Sequence, residues 1–463
     1  MNADVDIAVI GAGPAGMSAA IAAAQYGLSC IVFDEQDQPG GQIYRGITQH
    51  AGGSMSEPLR ERILGPDYLS GRSLAEAFLS CGTDYRPHST VWSVNDSCVS
   101  WSSPAGGGDT QARFIIAATG AMERPFPVKG WTLPGVMTAG AAQILLKTAG
   151  MVEDDAVFVG SGPLIYLIAA QYIRAGARIS AILDTTPRRN RLSALSNVSL
   201  AGNSIAYIKK GLSLLGELSR SKCEIIRGVE EIEIDGSSFV TGVRWKTRKR
   251  NGTIGCARVF LHHGVIPNVN LTMSAQCSHE WIDRQCNWRP VSDVWGATSQ
   301  PWMRVAGDGR NIDGARSAVI TGKIVVAAIA AELGVINIEE RDRAGLSLRR
   351  ELERDTSIRP FLETMYRPSD RFRIPDDPST LICRCEEVTV AQVCQAVNEG
   401  CMGPNQCKGF TRAGMGPCQG RMCGTTISEL FAQKLERSVQ ETGYYRIRTP
   451  IKPVTIADIA GVD

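Results

Sequence analysis

The chain has 463 residues, and its 49 Lys and Arg against 47 Asp and Glu leave a formal net charge of only +2. A chain of this length divides into two or more domains and has ample capacity to bury apolar surface. Its charges form no long block of one sign, so there is no electrostatic basis for binding nucleic acid or an anionic membrane. Nucleic acid is therefore not an expected partner.

Two features that the sequence lacks, together with its cysteine content, predict the cellular compartment of the protein. The N-terminus lacks the basic region of a secretion signal, so we expect the mature start to be the written one. No apolar run reaches the roughly eighteen residues of a membrane-spanning helix. Fourteen cysteines in clustered spacing then favour metal binding in a reducing compartment over disulfides. We expect a soluble, cytoplasmic protein with at most peripheral contact with a membrane.

The chain opens with the pattern of a dinucleotide-binding βαβ unit. An apolar strand at residues 5–10 enters a glycine-rich turn and a helix at residues 17–26, and a second strand at residues 29–33 ends in two acids. Such glycines allow a tight turn, close approach of a pyrophosphate and close helix packing, and the acid binds ribose hydroxyls. The alternative is a glycine turn of purely structural use. The residues expected to contact the nucleotide are Gly11, Gly13, Pro14, Ala15, Gly16, Asp34 and Glu35.

Two further segments resemble parts of flavoproteins with two dinucleotide-binding domains. Gly41 and Gln42 lie in a glycine turn that follows the ribose acid at the spacing seen in those proteins, although a surface loop would give the same composition. An apolar run from residue 114 leads to Thr119 and Gly120, the strand and turn that those proteins place over the adenine nucleotide.

A second nucleotide-type unit begins at residues 156–159, with a return strand at residues 258–261. Gly160 and Gly162 are present, but Ile165 replaces the third glycine, and Asp184 would repel a 2′-phosphate. A domain that has kept the fold and lost its ligand is an equal alternative. His262 and His263 follow; on a strand their side chains face opposite ways, so packing or hydrogen bonding is favoured over a shared metal.

A third strand and turn include Gly307 and Asp308 and precede a long helix ending near residue 332. In flavoproteins of the class resembled, this aspartate contacts the flavin's ribityl or pyrophosphate end; a helix N-cap is the structural alternative. Residues 337–378 are charged and proline-containing, with a helix near residues 349–354, and we interpret them as a linking segment.

Seven of the fourteen cysteines lie between Cys383 and Cys423. Cys383 and Cys385, two apart on an extended turn, can face one iron, and Cys418 and Cys423 supply a second pair. Four thiolates suit a [2Fe–2S] cluster, and zinc is the alternative ligand. Cys394, Cys401 and Cys407 are interpreted as small buried side chains, although a [4Fe–4S] cluster recruiting one of them stays open.

Nearly the whole chain resembles the α-type subunits of heteromeric dye-linked flavin dehydrogenases. This family includes the larger subunits of opine (octopine or nopaline) oxidase and of proline and hydroxyproline dehydrogenase, and the B-type component of hydrogen cyanide synthase. The similar segments are GAGPAG at 11–16, WTLPGVMTAGAAQ at 131–143, GSGPL at 160–164, HHGVIPN at 262–268, AGD at 306–308, and the C-x-C pair with MGPCQGRMC at 415–423. The last segments are similar to bacterioferritin-associated ferredoxin, in which the second cysteine pair is usually closer together.

The resemblance implies that substrate chemistry lies elsewhere. In such assemblies a β-type, flavin-containing catalytic subunit oxidises the C–N bond of an opine or an amino or imino acid, and this chain passes the electrons on. The implied cofactors are FAD and a [2Fe–2S] cluster. ATP at the first site with FMN at a subunit interface stays open, as does a small third subunit.

We therefore predict an α/β fold with two dinucleotide-binding domains, glutathione/thioredoxin reductase-like, and a small helical [2Fe–2S] domain of bacterioferritin-associated-ferredoxin type. The predicted boundaries are 1–150 and 276–336 for the first nucleotide domain, 151–275 for the second, 337–378 for the linking segment, 379–435 for the cluster domain and 436–463 for a tail. The competing functions are a self-sufficient NAD(P)H-dependent flavoprotein reductase, a component of hydrogen cyanide synthase, and a scaffold holding a structural nucleotide.

Overall fold

The computed structural model describes residues 3–49, 55–197, 204–221 and 223–460. Its first sheet contains β1 (Val5–Ile10), β2 (Cys30–Phe33), β3 (Asp84–Arg86), β4 (Thr90–Asn95), β5 (Cys98–Ser103), β6 (Gly106–Ala117) and β19 (Met303–Val305). The strand order is β3-β2-β1-β6-β5-β4, with β19 also paired to β6. Strands β1, β2, β3, β6 and β19 are parallel, whereas β4 and β5 are antiparallel. This is the parallel core expected for the first nucleotide unit.

Helices cover this sheet because their small residues allow close approach. They are α1 (Pro14–Gln25), α2 (Glu57–Leu64), α3 (Pro66–Leu69), α4 (Gly71–Ser80) and, much later in the chain, α10 (Ala315–Glu332). A Cβ at Gly322 of α10 would clash with the carbonyl oxygen of Ala15 in α1. The glycine therefore sets the distance between these two long, alanine-rich helices.

The second unit is a parallel sheet in its own right. It contains β8 (Val136–Thr138), β9 (Ala156–Ser161), β10 (Ile179–Asp184), β11 (Glu224–Arg227) and β15 (Val259–His263), in the order β11-β10-β9-β15-β8. Its helices are α5 (Ala139–Ala149), α6 (Pro163–Arg174), α7 (Arg188–Leu195) and α8 (Ser204–Arg220). An antiparallel meander, β12 (Val229–Gly236), β13 (Val240–Thr247) and β14 (Asn251–Gly255), precedes the return strand.

Short elements return the chain from the second unit to the first. Strands β7 (Ala121–Glu123) and β16 (Val265–Pro267) pair antiparallel between the two units. They are followed by α9 (Asn270–Ser274) and by a hairpin of β17 (His279–Ile282) and β18 (Asn287–Pro290). The chain then reaches β19, a 3₁₀ turn at Gly307–Gly309, and α10.

The segment predicted as a linking segment is largely helical. It contains α11 (Ile338–Thr356), α12 (Arg359–Met365) and α13 (Asp370–Arg373). Asn337 caps α11 and forms a capping box with Glu340, which sequence reasoning did not identify. Because α11 packs along α10, this segment extends the first unit, and the predicted helix at residues 349–354 is one part of it.

The C-terminal region is small and mostly helical. It contains β20 (Leu381–Cys383), β21 (Val388–Thr389), α14 (Val390–Asn398), α15 (Pro404–Thr411), α16 (Gly424–Lys434), α17 (Val439–Thr442) and α18 (Ile456–Ala460). Its apolar side chains join those of the first sheet in one buried cluster, which includes Phe33, Ile382 and Phe431. The α/β architecture with two nucleotide-type units is as predicted. In the part of the chain that is described, no helix is long and apolar enough to cross a membrane.

Candidate functional site

Glycines shape a cradle at the carboxyl end of β1. Gly11 has φ +105°, and a Cβ there would lie 2.6 Å from the Ala118 carbonyl oxygen. A Cβ at Gly16 would lie 1.8 Å from the carbonyl oxygen of Gly11 itself. Only glycine fits either position, as the nucleotide-binding pattern requires.

The predicted turn at residues 40–42 closes against this cradle. A Cβ at Gly41 (φ +59°) would come within 2.9 Å of Gly13 Cα, and Gly40 donates its N–H to the Ala12 carbonyl at 2.8 Å. A Cβ at Gly13 would meet only Gly41 Cα, at 3.8 Å. Backbone is thus exposed at Gly13, where Pro14 begins α1 and the first N–H groups have no helical partner.

The acids after β2 have different environments. Asp34 is 8% exposed and accepts hydrogen bonds from Ala12 N–H at 2.5 Å and from Gln36 N–H at 2.8 Å. Burial raises its carboxyl pKa, while the two hydrogen bonds and the nearby Arg45 guanidinium act in the opposite direction. Glu35 is exposed and forms an ion pair with Lys452. Asp34 therefore stabilises the glycine loop by accepting the Ala12 N–H, whereas Glu35 lies at the rim of the cradle.

The other predicted contacts surround the same loop. Thr119 donates its hydroxyl to the Asn268 carbonyl at 2.9 Å, and Gly120 accepts the Asn268 N–H at 3.0 Å. A Cβ at Gly309 would lie 3.0 Å from Thr119 Oγ1, whereas one at Gly120 would meet nothing within 4 Å. The turn after β6 is thus tied to the second unit and faces open space.

The turn after β19 lies on the start of α1. A Cβ at Gly307 would lie 2.8 Å from that of Ala15. Asp308 accepts the N–H groups of Asp313 and Gly314 at 3.0 and 2.9 Å, so it holds the loop that starts α10, and burial raises its pKa. All thirteen residues predicted to contact the nucleotide are therefore gathered around one loop.

Lys147 supports this site, although no sequence signal marks it. Its ammonium donates to the carbonyl oxygens of Gln42 at 3.1 Å and Ile43 at 2.9 Å, beneath the turn that faces Gly13. The side chain is 3% exposed, and burial lowers its pKa to about 7. A cation held there stabilises the turn from inside the protein.

The corresponding cradle in the second unit is filled by protein. A Cβ at Gly162 would lie 3.1 Å from His262 Nε2, and the Ile165 side chain is completely buried where the third glycine would be. His262 Nδ1 bonds Glu123 Oε1 at 2.7 Å, while His263 stacks on Phe126 at 4.6 Å. The predicted packing and hydrogen-bonding roles of the two histidines are confirmed.

The acid of the second unit is also occupied. Asp184 is 1% exposed, and its Oδ2 accepts the Tyr166 hydroxyl at 2.7 Å and pairs with Arg191 at 2.5 Å. Its Oδ1 accepts the Thr186 N–H at 2.8 Å. Helix α7, which carries Arg191, is covered in turn by α12. Asp184 is therefore already bonded to three protein groups.

The four predicted cysteine ligands come from two loops that meet. The thiols of Cys383 and Cys423 interact electrostatically, as do those of Cys385 and Cys418. That Cys383 and Cys385 face one iron stays a prediction. The interaction with Cys423 lowers the pKa of Cys383 to about 6, and burial raises that of Cys385.

Aromatic residues of the tail enclose these thiols. Tyr445 is 3% exposed and places its hydroxyl 3.7 Å from Cys423 Sγ, and a Cβ at Gly414 or Gly420 would strike its ring. A Cβ at Gly416 would strike Cys385 Cβ. These glycines therefore leave room for the Tyr445 ring and the Cys385 side chain.

Among the described residues, no group of three or more His, Cys, Asp or Glu side chains is positioned around one metal ion. The four cysteines therefore stay a predicted ligand set. Cys401 and Cys407 are buried, as expected for packing residues, whereas Cys394 is only partly buried.

Comparison with known proteins identifies the family. Residues 5–210 match the pyridine nucleotide-disulphide oxidoreductase family, and residues 377–462 match the sarcosine oxidase A3 domain. The A-type subunit of opine oxidase from Rhizobium meliloti is 41% identical over 98% of this chain and 87% of that protein. Hydrogen cyanide synthase subunit HcnB of Pseudomonas aeruginosa is 31% identical over 96% of each.

A solved structure shares the fold over nearly the full length. The L-proline dehydrogenase from P. horikoshii aligns with a TM-score of 0.68 and 19% identity, covering 98% of this chain and 79% of that one. The predicted resemblance is confirmed by the much higher identity of the opine oxidase relative. The chain belongs to the family of the A-type subunits of opine oxidases, which are α-type subunits of heteromeric flavin dehydrogenases.

Proposed function

We propose that this chain is the electron-transfer subunit of a heteromeric, FAD- and iron–sulfur-dependent dehydrogenase that oxidises the C–N bond of an opine or an amino or imino acid. Oxidation of the substrate takes place on a partner β subunit, and a small third subunit is the further partner that co-purification would reveal. The observation that carries this proposal is the contrast between the two units: in the first, a Cβ at Gly120 would meet nothing within 4 Å and one at Gly13 only Gly41 Cα at 3.8 Å, whereas in the second a Cβ at Gly162 would lie 3.1 Å from His262 Nε2.

FAD is the nucleotide we assign to the first cradle. Exposed backbone at Gly13, the N-terminus of α1 and the acids after β2 suit a pyrophosphate joined to a ribose. FAD would supply storage of electrons taken from the partner. ATP in this cradle, with FMN held at a subunit interface, is the alternative, and the nucleotide released on denaturation distinguishes the two.

A [2Fe–2S] cluster held by Cys383, Cys385, Cys418 and Cys423 is the second proposed cofactor. It would supply one-electron transfer beside the flavin. The proposal is supported by the four thiols, which interact in two pairs and match a [2Fe–2S] cluster in ligand number and type; zinc is the alternative that the analysis of sulfide distinguishes. A cluster domain of bacterioferritin-associated-ferredoxin type, within the predicted boundaries 379–435, would hold it.

The cluster is tested on anaerobically purified protein. We expect iron and acid-labile sulfide in equal amounts, about two of each per chain, and an EPR signal after reduction. Cys418→Ser should lose both the sulfide and the signal, while Cys394→Ser, outside the four, should keep them. Zinc without sulfide in the wild-type protein would refute the cluster.

NADH separates this function from a self-sufficient reductase. Because Asp184 is already bonded to Tyr166 and Arg191, we expect the second unit not to bind NADH or NADPH. Mixing NADH or NADPH with the FAD-loaded chain under anaerobic conditions should leave the flavin absorbance unchanged, while dithionite bleaches it. Rapid bleaching by NADH would establish the reductase instead.

An opine is the substrate class we favour over hydrogen cyanide synthesis, because identity is 41% to the opine oxidase relative and 31% to HcnB. A substrate screen on the co-purified complex, with an artificial dye as acceptor, tests this choice. Release of cyanide with no oxidation of opines would favour the hydrogen cyanide synthase alternative. We propose a cytoplasmic location for the complex.

A further inference from the structure

A C-terminal strap, residues 444–452, connects the two candidate cofactor sites. At one end Tyr445 places its hydroxyl 3.7 Å from Cys423 Sγ. At the other end Lys452 Nζ lies 2.6 Å from Glu35 Oε1 and 2.9 Å from Oε2. The pair joins residues 417 positions apart, at the end of the strand that leads into the first cradle.

Buried neighbours hold the strap in place. Tyr445, Ile447 and Ile451 are 3, 7 and 4% exposed and belong to the cluster that contains the first sheet. Ile451 donates its N–H to the carbonyl oxygen of Trp92 on β4 at 2.9 Å. These contacts fix the position of Ile451 and therefore also that of Lys452, the next residue. The Lys452 side chain is only 20% exposed.

The position of Lys452 matters because two acids follow β2. Asp34 is tied to the glycine loop by the Ala12 N–H, and Glu35 beside it is 41% exposed. Like charges at this rim oppose an anionic nucleotide, whereas a paired Glu35 does not. Lys452 is the cation in contact with that carboxylate.

We infer that Lys452 is a positioning residue of the nucleotide site, which it completes at the ribose end by pairing with Glu35. It acts through Glu35, because it neutralises that carboxylate and fixes its orientation. The C-terminal strap therefore contributes one residue, Lys452, to the cofactor site. This inference rests on the proposed nucleotide at the first cradle.

The expected effect on affinity is modest for the neutral change and larger for charge reversal. Loss of a partly exposed ion pair corresponds to a roughly two- to five-fold higher Kd for Lys452→Ala. Lys452→Glu adds a third carboxylate at the rim and should raise Kd by about ten-fold at low salt. High salt should reduce both differences.

A double-mutant cycle tests the inference on the full-length chain. The protein is stripped of nucleotide and titrated with FAD, with quenching of flavin fluorescence as the measurement. The four proteins are wild type, Lys452→Ala, Glu35→Gln and the double variant. Arg448→Glu, an exposed charge reversal in the same strap, is the matched control, and thermal unfolding checks that each variant is folded.

We expect Lys452→Ala to weaken FAD binding in the wild-type background but not in the Glu35→Gln background, with Arg448→Glu binding as wild type. Equal Kd values for wild type and both Lys452 variants would overturn the inference. So would the same loss in both backgrounds, because Lys452 would then act without Glu35. If the wild-type chain takes up no FAD, the proposed cofactor itself fails, which is a separate result.

Discussion

Replacing Gly16 by alanine tests how closely α1 must approach the glycine loop. A Cβ at this position would lie 1.8 Å from the Gly11 carbonyl oxygen and 3.2 Å from Val9 Cγ1, and real Cβ atoms essentially never come within 3.0 Å. Helix and loop must therefore separate by about 1.2 Å. The displaced oxygen belongs to the loop that would hold the pyrophosphate.

Both stability and binding should suffer. Inserting a methyl group into such a packed contact costs about 1 to 3 kcal/mol, which lowers the unfolding temperature by several degrees. If the loop moves by the same amount when the nucleotide is bound, a similar cost in binding raises Kd by roughly five- to 150-fold. FAD retained after desalting and the midpoint of thermal unfolding measure the two effects.

Gly27→Ala is the matched control. Gly27 follows α1 with φ +69°, and a Cβ there would meet nothing within 4 Å, so the change adds backbone strain of about 1 kcal/mol and no clash. It should lower the unfolding temperature slightly and leave FAD binding intact. If Gly16→Ala binds FAD as the wild type does, the glycine contact does not shape the nucleotide site.

Two further predictions concern a buried ion pair and a buried histidine outside the nucleotide site. Arg373 and Glu429 form an ion pair at 6 and 2% side-chain exposure, so Glu429→Ala should destabilise the protein by about 3 to 5 kcal/mol, whereas the Arg373→Met, Glu429→Leu double variant should cost less in denaturant unfolding. Burial lowers the pKa of His279 to about 4 in the folded state, whereas the imidazole of the unfolded chain takes up a proton below about pH 6.5. Between these two pH values, protonation therefore favours the unfolded state. Stability should therefore fall by about 2 to 3 kcal/mol as pH falls from 6.5 to 4, and His279→Gln should flatten that slope. A wild-type profile already flat in this range contradicts the buried neutral imidazole.

The first nucleotide unit was predictable because its information is local. Strand, turn, helix and acid lie within residues 5–35, and Gly16 is required by its contact with Gly11 inside that stretch. The same reasoning identified Ile165 as a change that alters the second unit. Local patterns predict local geometry well.

Contacts between distant segments could not be predicted in this way. Lys147 supports the Gln42 turn from a helix 105 residues away, and its sequence neighbours carry no charge pattern that marks it. The covering of Asp184 depends on α7 and on α12, which packs over it from the end of the predicted linking segment. The interactions of Cys383 with Cys423 and of Cys385 with Cys418 likewise join residues of two separate loops.

The second unit keeps a nucleotide-binding fold although His262 fills its cradle, and its contacts with the first unit explain why. The second unit contributes β16 to the pair with β7, and Asn268 beyond it fixes the Thr119 turn at the rim of the first cradle. His262, which fills the second cradle, also holds Glu123, whose other oxygen accepts the N–H of Gly140 at the start of α5. The residues that close the second site thus position the turn and strand that shape the first.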